Sequence, residues 1–199
     1  MTGPLAMFPL GQVLLPGMPI ALRVFEPRFL AMLAEVSAEG EPEFGVVLID
    51  RGHEVGGEDT RFDHATVARL AQVEPDDGAV GIVAVGGRRV RVDRWLADDP
   101  YPMAEVETLV DLEWDESLRP RLDETVETVL QAREVLRPGG EPVPLEADPV
   151  TVAWRLAAAA PVGPLDRLAA LRAPTVEALL TTIRDTTAQV LLLHEAFDG

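Results

Sequence analysis

The chain of 199 residues carries 34 acidic against 17 basic residues, a net charge of −17, and is 47% hydrophobic, a globular rather than a disordered composition. Such a charge repels phosphate, which removes the long-range attraction behind most nucleic-acid binding and disfavours anionic membrane surfaces. With no cysteine, disulfides, thiolate zinc sites and cysteine nucleophiles are excluded.

The acid excess is spread along the chain: residues 1–112 hold nine Arg and nineteen Asp or Glu, and the rest hold eight and fifteen. The start lacks a basic region followed by an apolar run, and no segment approaches the roughly 18 apolar residues of a membrane span. A cytoplasmic protein is expected.

Near the amino terminus, Pro16 and Gly17 suit the central positions of a type II turn, because proline fixes φ and glycine accepts the positive φ that follows. Ile20, Leu22 and Val24 then alternate with Ala21, Arg23 and Phe25, the period of a strand with one apolar face. At Glu26-Pro27 the strand gives way to a helix, since proline is tolerated in the first turn. That helix carries Phe29, Leu33 and Val36 on one face and stops at Gly40.

Phe44–Asp50 (FGVVLID) is an apolar run that reads as a buried strand. A Gly- and acid-rich loop is expected from His53 to Asp63. Residues 65–74 look extended, Pro75–Gly78 forms a turn, and Ala79–Val85 with Arg88–Trp95 suggest a hairpin around Gly86-Gly87. Met103–Leu112 alternates again.

Past Trp114 the period becomes helical. A helix over about 117–137 carries Leu118, Leu122, Val126, Val129, Leu130 and Leu136, with Asp115 or Ser117 as cap. Pro138–Asp148 cannot continue it. Asp148-Pro149 caps a second helix carrying Val150, Trp154 and Ala157 and closed by Pro161. A short segment, Leu165–Leu171, precedes a last helix over about 176–197.

Phe8-Pro9-Leu10, Val13-Leu14-Leu15-Pro16-Gly17 and Leu22-Arg23-Val24-Phe25-Glu26-Pro27-Arg28-Phe29 resemble the opening of the Lon substrate-binding domain family, the amino-terminal domain of Lon proteases, which also occurs alone. Phe44 to Val47, Thr66 to Leu70, Gly87 to Val92 and Tyr101 through Glu107 extend the match over residues 5–112, and the helical half resembles the region that follows in Lon. The resemblance implies an α+β protein: a PUA-like, mostly antiparallel β-barrel with one inserted helix over residues 1–113, then an α-helical bundle over 114–199. Six or seven short strands suit a barrel independently, because closure removes exposed edges.

What transfers is substrate recognition, not proteolysis. The chain has no lysine, hence neither a lysine-bearing phosphate loop nor a Ser-Lys pair, and Ser37 and Ser117 lack a nucleophile-elbow context. His53, His64 and His194 are scattered, and Gly57 stands where a second ligand of an H-E-x-x-H site would be. Asp76-Asp77 and Asp98-Asp99 flank turns as solvated carboxylates do, and Arg88, Arg89, Arg91 and Arg94 are expected to pair with the surrounding acid. No catalytic residue, metal or cofactor is expected.

The implied function is binding of unfolded or apolar peptide segments in a groove beside the barrel, as an adaptor for a separate protease. Phe8, Leu15, Met18 and Phe25 are the exposed apolar candidates, because Met and aromatic side chains adapt to varied partners, and Arg28 joins them. An acidic rim would favour peptides with basic flanks. The alternative is small-molecule sensing between barrel and neighbouring lobe, although the missing cysteine argues against a zinc-bearing cereblon-like ligand domain.

Overall fold

A computed structural model describes residues 3–38, 40, 42–50 and 60–198. The chain divides into two units, Met1–Asp111 and Leu112–Gly199. The first holds six strands and one helix: β1 (Gly3–Leu10), β2 (Pro19–Val24), α1 (Pro27–Ala38), β3 (Glu43–Asp50), β4 (Thr60–Asp76), β5 (Ala79–Trp95) and β6 (Met103–Thr108). Their order in the sheet is β2-β5-β4-β3-β1-β6, and β5 also pairs with β6, so the pairings β5–β4–β3–β1–β6–β5 return to their start. Only β1–β3 is parallel; the other pairings are antiparallel.

Two clusters fill this unit. One takes Met7, Val47, Ala65, Val67, Val90, Ala104 and Val106 from the five strands of the closed circuit. The other gathers Phe8, Val24, Phe44, Ile82 and Ala84 under Phe29, Met32, Leu33 and Val36 of α1. The spacing of those helical residues presents one apolar face. Because β1 and β3 supply alternate residues to both clusters, both of their faces are buried, which is why β3 reads as an unbroken apolar run.

The turn before β2 forms as the sequence indicates. The Met18 N–H donates to the Leu15 carbonyl at 3.1 Å and Gly17 takes φ 75°, the geometry that only glycine adopts freely at that corner. Along β2, Ile20 and Val24 are buried and Leu22 is half-buried, while Ala21 and Arg23 are exposed.

The expected hairpin at Gly86-Gly87 is absent, because β5 runs unbroken through both glycines. The chain reverses at Asp77-Gly78 instead, where Gly78 has φ 78°. Gly86 serves a different purpose. A Cβ there would lie 2.3 Å from the Leu15 carbonyl oxygen, so glycine lets the residue 14–18 loop lie against the strand. The Gly17 N–H donates to the Gly86 carbonyl at 2.8 Å, and the Gly86 N–H to the Met18 carbonyl at 2.9 Å. Of the loop expected from His53 to Asp63, residues 60–63 belong to β4 and the rest lies outside the described residues.

The second unit holds α2 (Arg119–Leu136), α3 (Pro149–Ala159), α4 (Pro164–Leu171) and α5 (Val176–Asp198), with a 3-10 turn at Glu116–Leu118. Asp115 accepts from the Ser117 N–H, so the expected cap serves that turn and not α2. Asp148 caps α3, accepting from the Thr151 N–H at 3.0 Å and from its hydroxyl. At the other end of α3, the otherwise unpaired last carbonyls are met by arginines: Arg133 donates to Ala159 at 3.2 Å, and Arg167 to Ala160 at 3.2 Å.

Candidate functional site

The first unit carries a cleft of about 1030 Å³. Its described walls come from four places in the chain: Phe8–Leu10 at the end of β1, Leu22–Glu26 with Arg28 and Phe29 at the β2–α1 corner, Ile49 and Arg61 from β3 and β4, and Trp95–Asp98 at the end of β5. Pro27 starts α1 at once after β2, so the corner is tight and Phe25 is left outside it, 63% exposed. The Phe8 ring stacks on Phe29 with centroids 4.3 Å apart and forms apolar wall where the two elements meet.

Each charged group among these lining residues has a partner. The Arg28 guanidinium lies 4.6 Å from the Phe29 ring centroid and bonds Glu26 at 2.9 Å. Arg61 lies 4.9 Å from the Trp95 ring centroid and holds Asp98 through both of its terminal nitrogens. Arg23 pairs with Asp76 of β4. The acidic rim expected from net charge is therefore not found among the described lining residues, where Arg23, Arg28 and Arg61 face Glu26 and Asp98.

The expected contact residues separate into three groups. Phe8, Phe25 and Arg28 line the cleft, but Phe8, expected to be exposed, is only 8% so, because its ring packs on Phe29 and Phe44. Leu15 was expected to be exposed but is only 2% so, because the 14–18 loop packs against Gly86. Met18 is half-buried against the α1 cluster and is not among the lining residues. Trp95, Arg61 and Asp98 were not singled out for recognition; Trp95 ends a strand, and Asp98 had the look of a turn carboxylate. For Arg61 the local sequence carries no signal, since its partner lies 37 positions away.

The basic cluster on β5 meets acid on β3 and β6. Arg88 bonds Glu43, Arg91 bonds Glu107 at 2.6 Å, and Arg94 bonds Glu105 at 2.6 Å. The Arg94 hydrogen bond holds the Glu105 carboxyl below the usual carboxylate range. Arg89 is buried, donates to the Val110 carbonyl at 2.9 Å, and has its pKa pushed down by that burial. Among the described residues no group of three His, Asp or Glu side chains could hold a metal, and no helix is long and apolar enough to cross a membrane.

A sequence model of the ATP-dependent protease La (LON) substrate-binding domain matches residues 4–187. The chain belongs to this family. The Lon N-terminal domain protein from Xanthomonas campestris is similar in structure, with a TM-score of 0.63 at 26% identity over 96% of this chain and 98% of that one. The N-terminal domain of Mycobacterium avium complex Lon protease matches at TM-score 0.67 and 18% identity over 94% and 98%, a likeness of fold. None of the curated proteins compared with the chain matches it. The Lon-family match spans both units, and the family is defined by substrate binding rather than by the protease's chemistry.

Proposed function

We propose that this Lon-family domain binds unfolded or apolar polypeptide segments in the cleft of its first unit and presents them to a separate protease, itself taking no catalytic part. We read the closed strand circuit as a PUA-like β-barrel with α1 inserted, residues 1–113 as the barrel domain and 114–199 as a helical-bundle domain. The observation that carries the reading is the cleft: about 1030 Å³, where Phe8, Leu10, Leu22, Phe25 and Phe29 stand among charged lining residues that are already paired with one another or with Asp76. The volume stands at the top of the about 300–1,000 Å³ usual for small-molecule pockets, and the choice of a polypeptide guest rests on the substrate-binding family. Phe25 and Phe8 supply apolar contact, and Arg28, whose guanidinium lies 4.6 Å from the Phe29 ring centroid, lines the cleft beside them. The chain has neither Cys nor Lys, so the cleft holds no thiol or amine nucleophile.

Titration of the full chain with a fluorescein-labelled apolar peptide, followed by anisotropy, tests the proposal. Saturable binding, absent for a polar control peptide of the same length, is expected. No binding above the control at high protein concentration overturns the reading.

A further inference from the structure

β2 borders the cleft and stands at the end of the sheet order, with β5 as its one partner among the described residues. The phase of its hydrogen bonds follows from a bond just before it. Pro19 stands opposite Val85, which places Met18 opposite Gly86, and the Gly86 N–H donates to the Met18 carbonyl. Hydrogen-bonded pairs recur at every second residue of an antiparallel ladder. Ile20, Leu22 and Val24 therefore turn their N–H and C=O groups toward β5, and Ala21 and Arg23 turn theirs away. Outside the strand ladders, the backbone hydrogen bonds of the described residues include none from the Ala21 or Arg23 N–H.

The cleft reaches that open side at the last three residues of β2, Leu22, Arg23 and Val24, and continues past the strand along Phe25 and Glu26. Successive strand side chains point to opposite faces, so a cleft on one face would meet only alternate residues. One that meets three residues in succession reaches the edge, and Ala21 is the next residue along that edge, just outside the described lining. Exposed edges are usually blunted, and β2 is blunted only in part: Pro19 lacks a donor and Arg23 is tied to Asp76, but Ala21 is small and exposed.

We propose that the cleft takes its polypeptide as an added strand on the free edge of β2, joined by main-chain hydrogen bonds at Ala21 and Arg23. This rests on the peptide-binding reading above and specifies how that binding is made. Main-chain bonding tolerates varied sequences while alternate side chains of the guest enter apolar wall. An unfolded segment supplies such a guest. A second copy of this chain does not, because two molecules of net charge −17 repel one another.

The test is an end-blocked peptide of alternating leucine and threonine, in three forms: unmodified, N-methylated at every leucine, and N-methylated at every threonine. In an extended guest the N–H groups of alternate residues face opposite edges, so each methylated form blocks one edge. With the full chain, one methylated form should bind at least tenfold more weakly than the unmodified peptide and the other should bind about as well. Equal effects of the two, whether both are retained or both lost, overturn strand addition. Failure of the unmodified peptide overturns the cleft reading as well, so the two failures are distinguishable. On the protein side, Ala21→Pro removes the edge donor at a position whose N–H does not serve β5, where proline is tolerated. Binding at least tenfold weaker with an unchanged melting temperature supports the proposal; unchanged binding overturns it. If Ala21→Pro does not fold, the methylated peptides decide.

Discussion

Gly86→Ala tests the account of how the residue 14–18 loop is held. Gly86 is not among the glycines with positive φ, so alanine is permitted by the backbone and the contact alone sets the cost. The new Cβ would lie 2.3 Å from the Leu15 carbonyl oxygen, 3.1 Å from its carbon and 3.2 Å from Leu14 Cγ. Two of those three atoms are main chain and cannot swing aside. Overpacking of this kind costs about 1–3 kcal/mol. Moving the loop also strains the Gly17–Gly86 and Gly86–Met18 bonds and the buried 2.6 Å bond from the Thr66 hydroxyl to the Leu14 carbonyl, each contributing about 1 kcal/mol.

A total loss of about 3 kcal/mol is expected. Gly81→Ala, in the same strand, is the control: its nearest contact is an ordinary 3.7 Å, and alanine should gain about 0.5–1 kcal/mol there. Urea titration followed by hydrogen exchange in peptides from residues 79–95 reads this unit apart from the helices. With m near 1–3 kcal/mol per molar, Gly86→Ala should lower the midpoint by about 1–3 M and Gly81→Ala should raise it slightly. The reasoning is refuted if Gly86→Ala is as stable as the parent.

Thr187 is fully buried with a hydroxyl that finds no hydrogen-bond partner; Thr187→Val should stabilise the helical unit by about 1 kcal/mol, read from the midpoint of its urea transition. The Thr151 hydroxyl, and then its N–H, hold the Asp148 carboxyl below the usual carboxylate range, so the charged cap contributes fully above the unfolded pKa near 3.9 and is lost as pH falls through the lower folded value. Asp148→Ala should cost about 1 kcal/mol at neutral pH, and the advantage of Asp148 over Asp148→Asn should begin to shrink below about pH 4 and disappear only below the lower folded value, measured by thermal melts across pH. Phe25→Ser removes an apolar ring that is 63% exposed; it should weaken apolar-peptide affinity at least fivefold while leaving the melting temperature within about 2 °C, as anisotropy and calorimetry would show.

Local chemistry made much of this structure legible. The Pro16-Gly17 turn, the alternation along β2, the proline start of α1 and the Asp148 cap each depend on neighbours a few positions apart, so their residue types announce them. The Gly86-Gly87 pair misleads for the opposite reason. Adjacent glycines in an apolar stretch look like a hairpin turn, but what demands glycine is a carbonyl some seventy positions earlier in the chain. Leu15 misleads with it, since the same approach buries a side chain that sits on a turn. The cleft is less legible still, because its walls come from four separated segments, and Arg61 and Asp98 become a pair only when β4 and the end of β5 are brought together.

Charge shows the same division and leads to a separable prediction. The net charge of −17 is a sum over the whole chain, and it acts at a distance: a peptide with basic flanks is drawn in faster, within a Debye length of about 10 Å at 0.1 M salt. Once bound, the guest meets a cleft whose described charges are matched as Arg28 with Glu26 and Arg61 with Asp98, leaving little net field for a charged flank. Raising salt from 50 to 500 mM should therefore lower the association rate of a basic-flanked apolar peptide severalfold and leave its dissociation rate within about twofold. Stopped-flow anisotropy separates the two rates. A dissociation rate that climbs steeply with salt means that an ion pair to the guest holds the complex, and then the apolar wall and the strand edge are not what retain it.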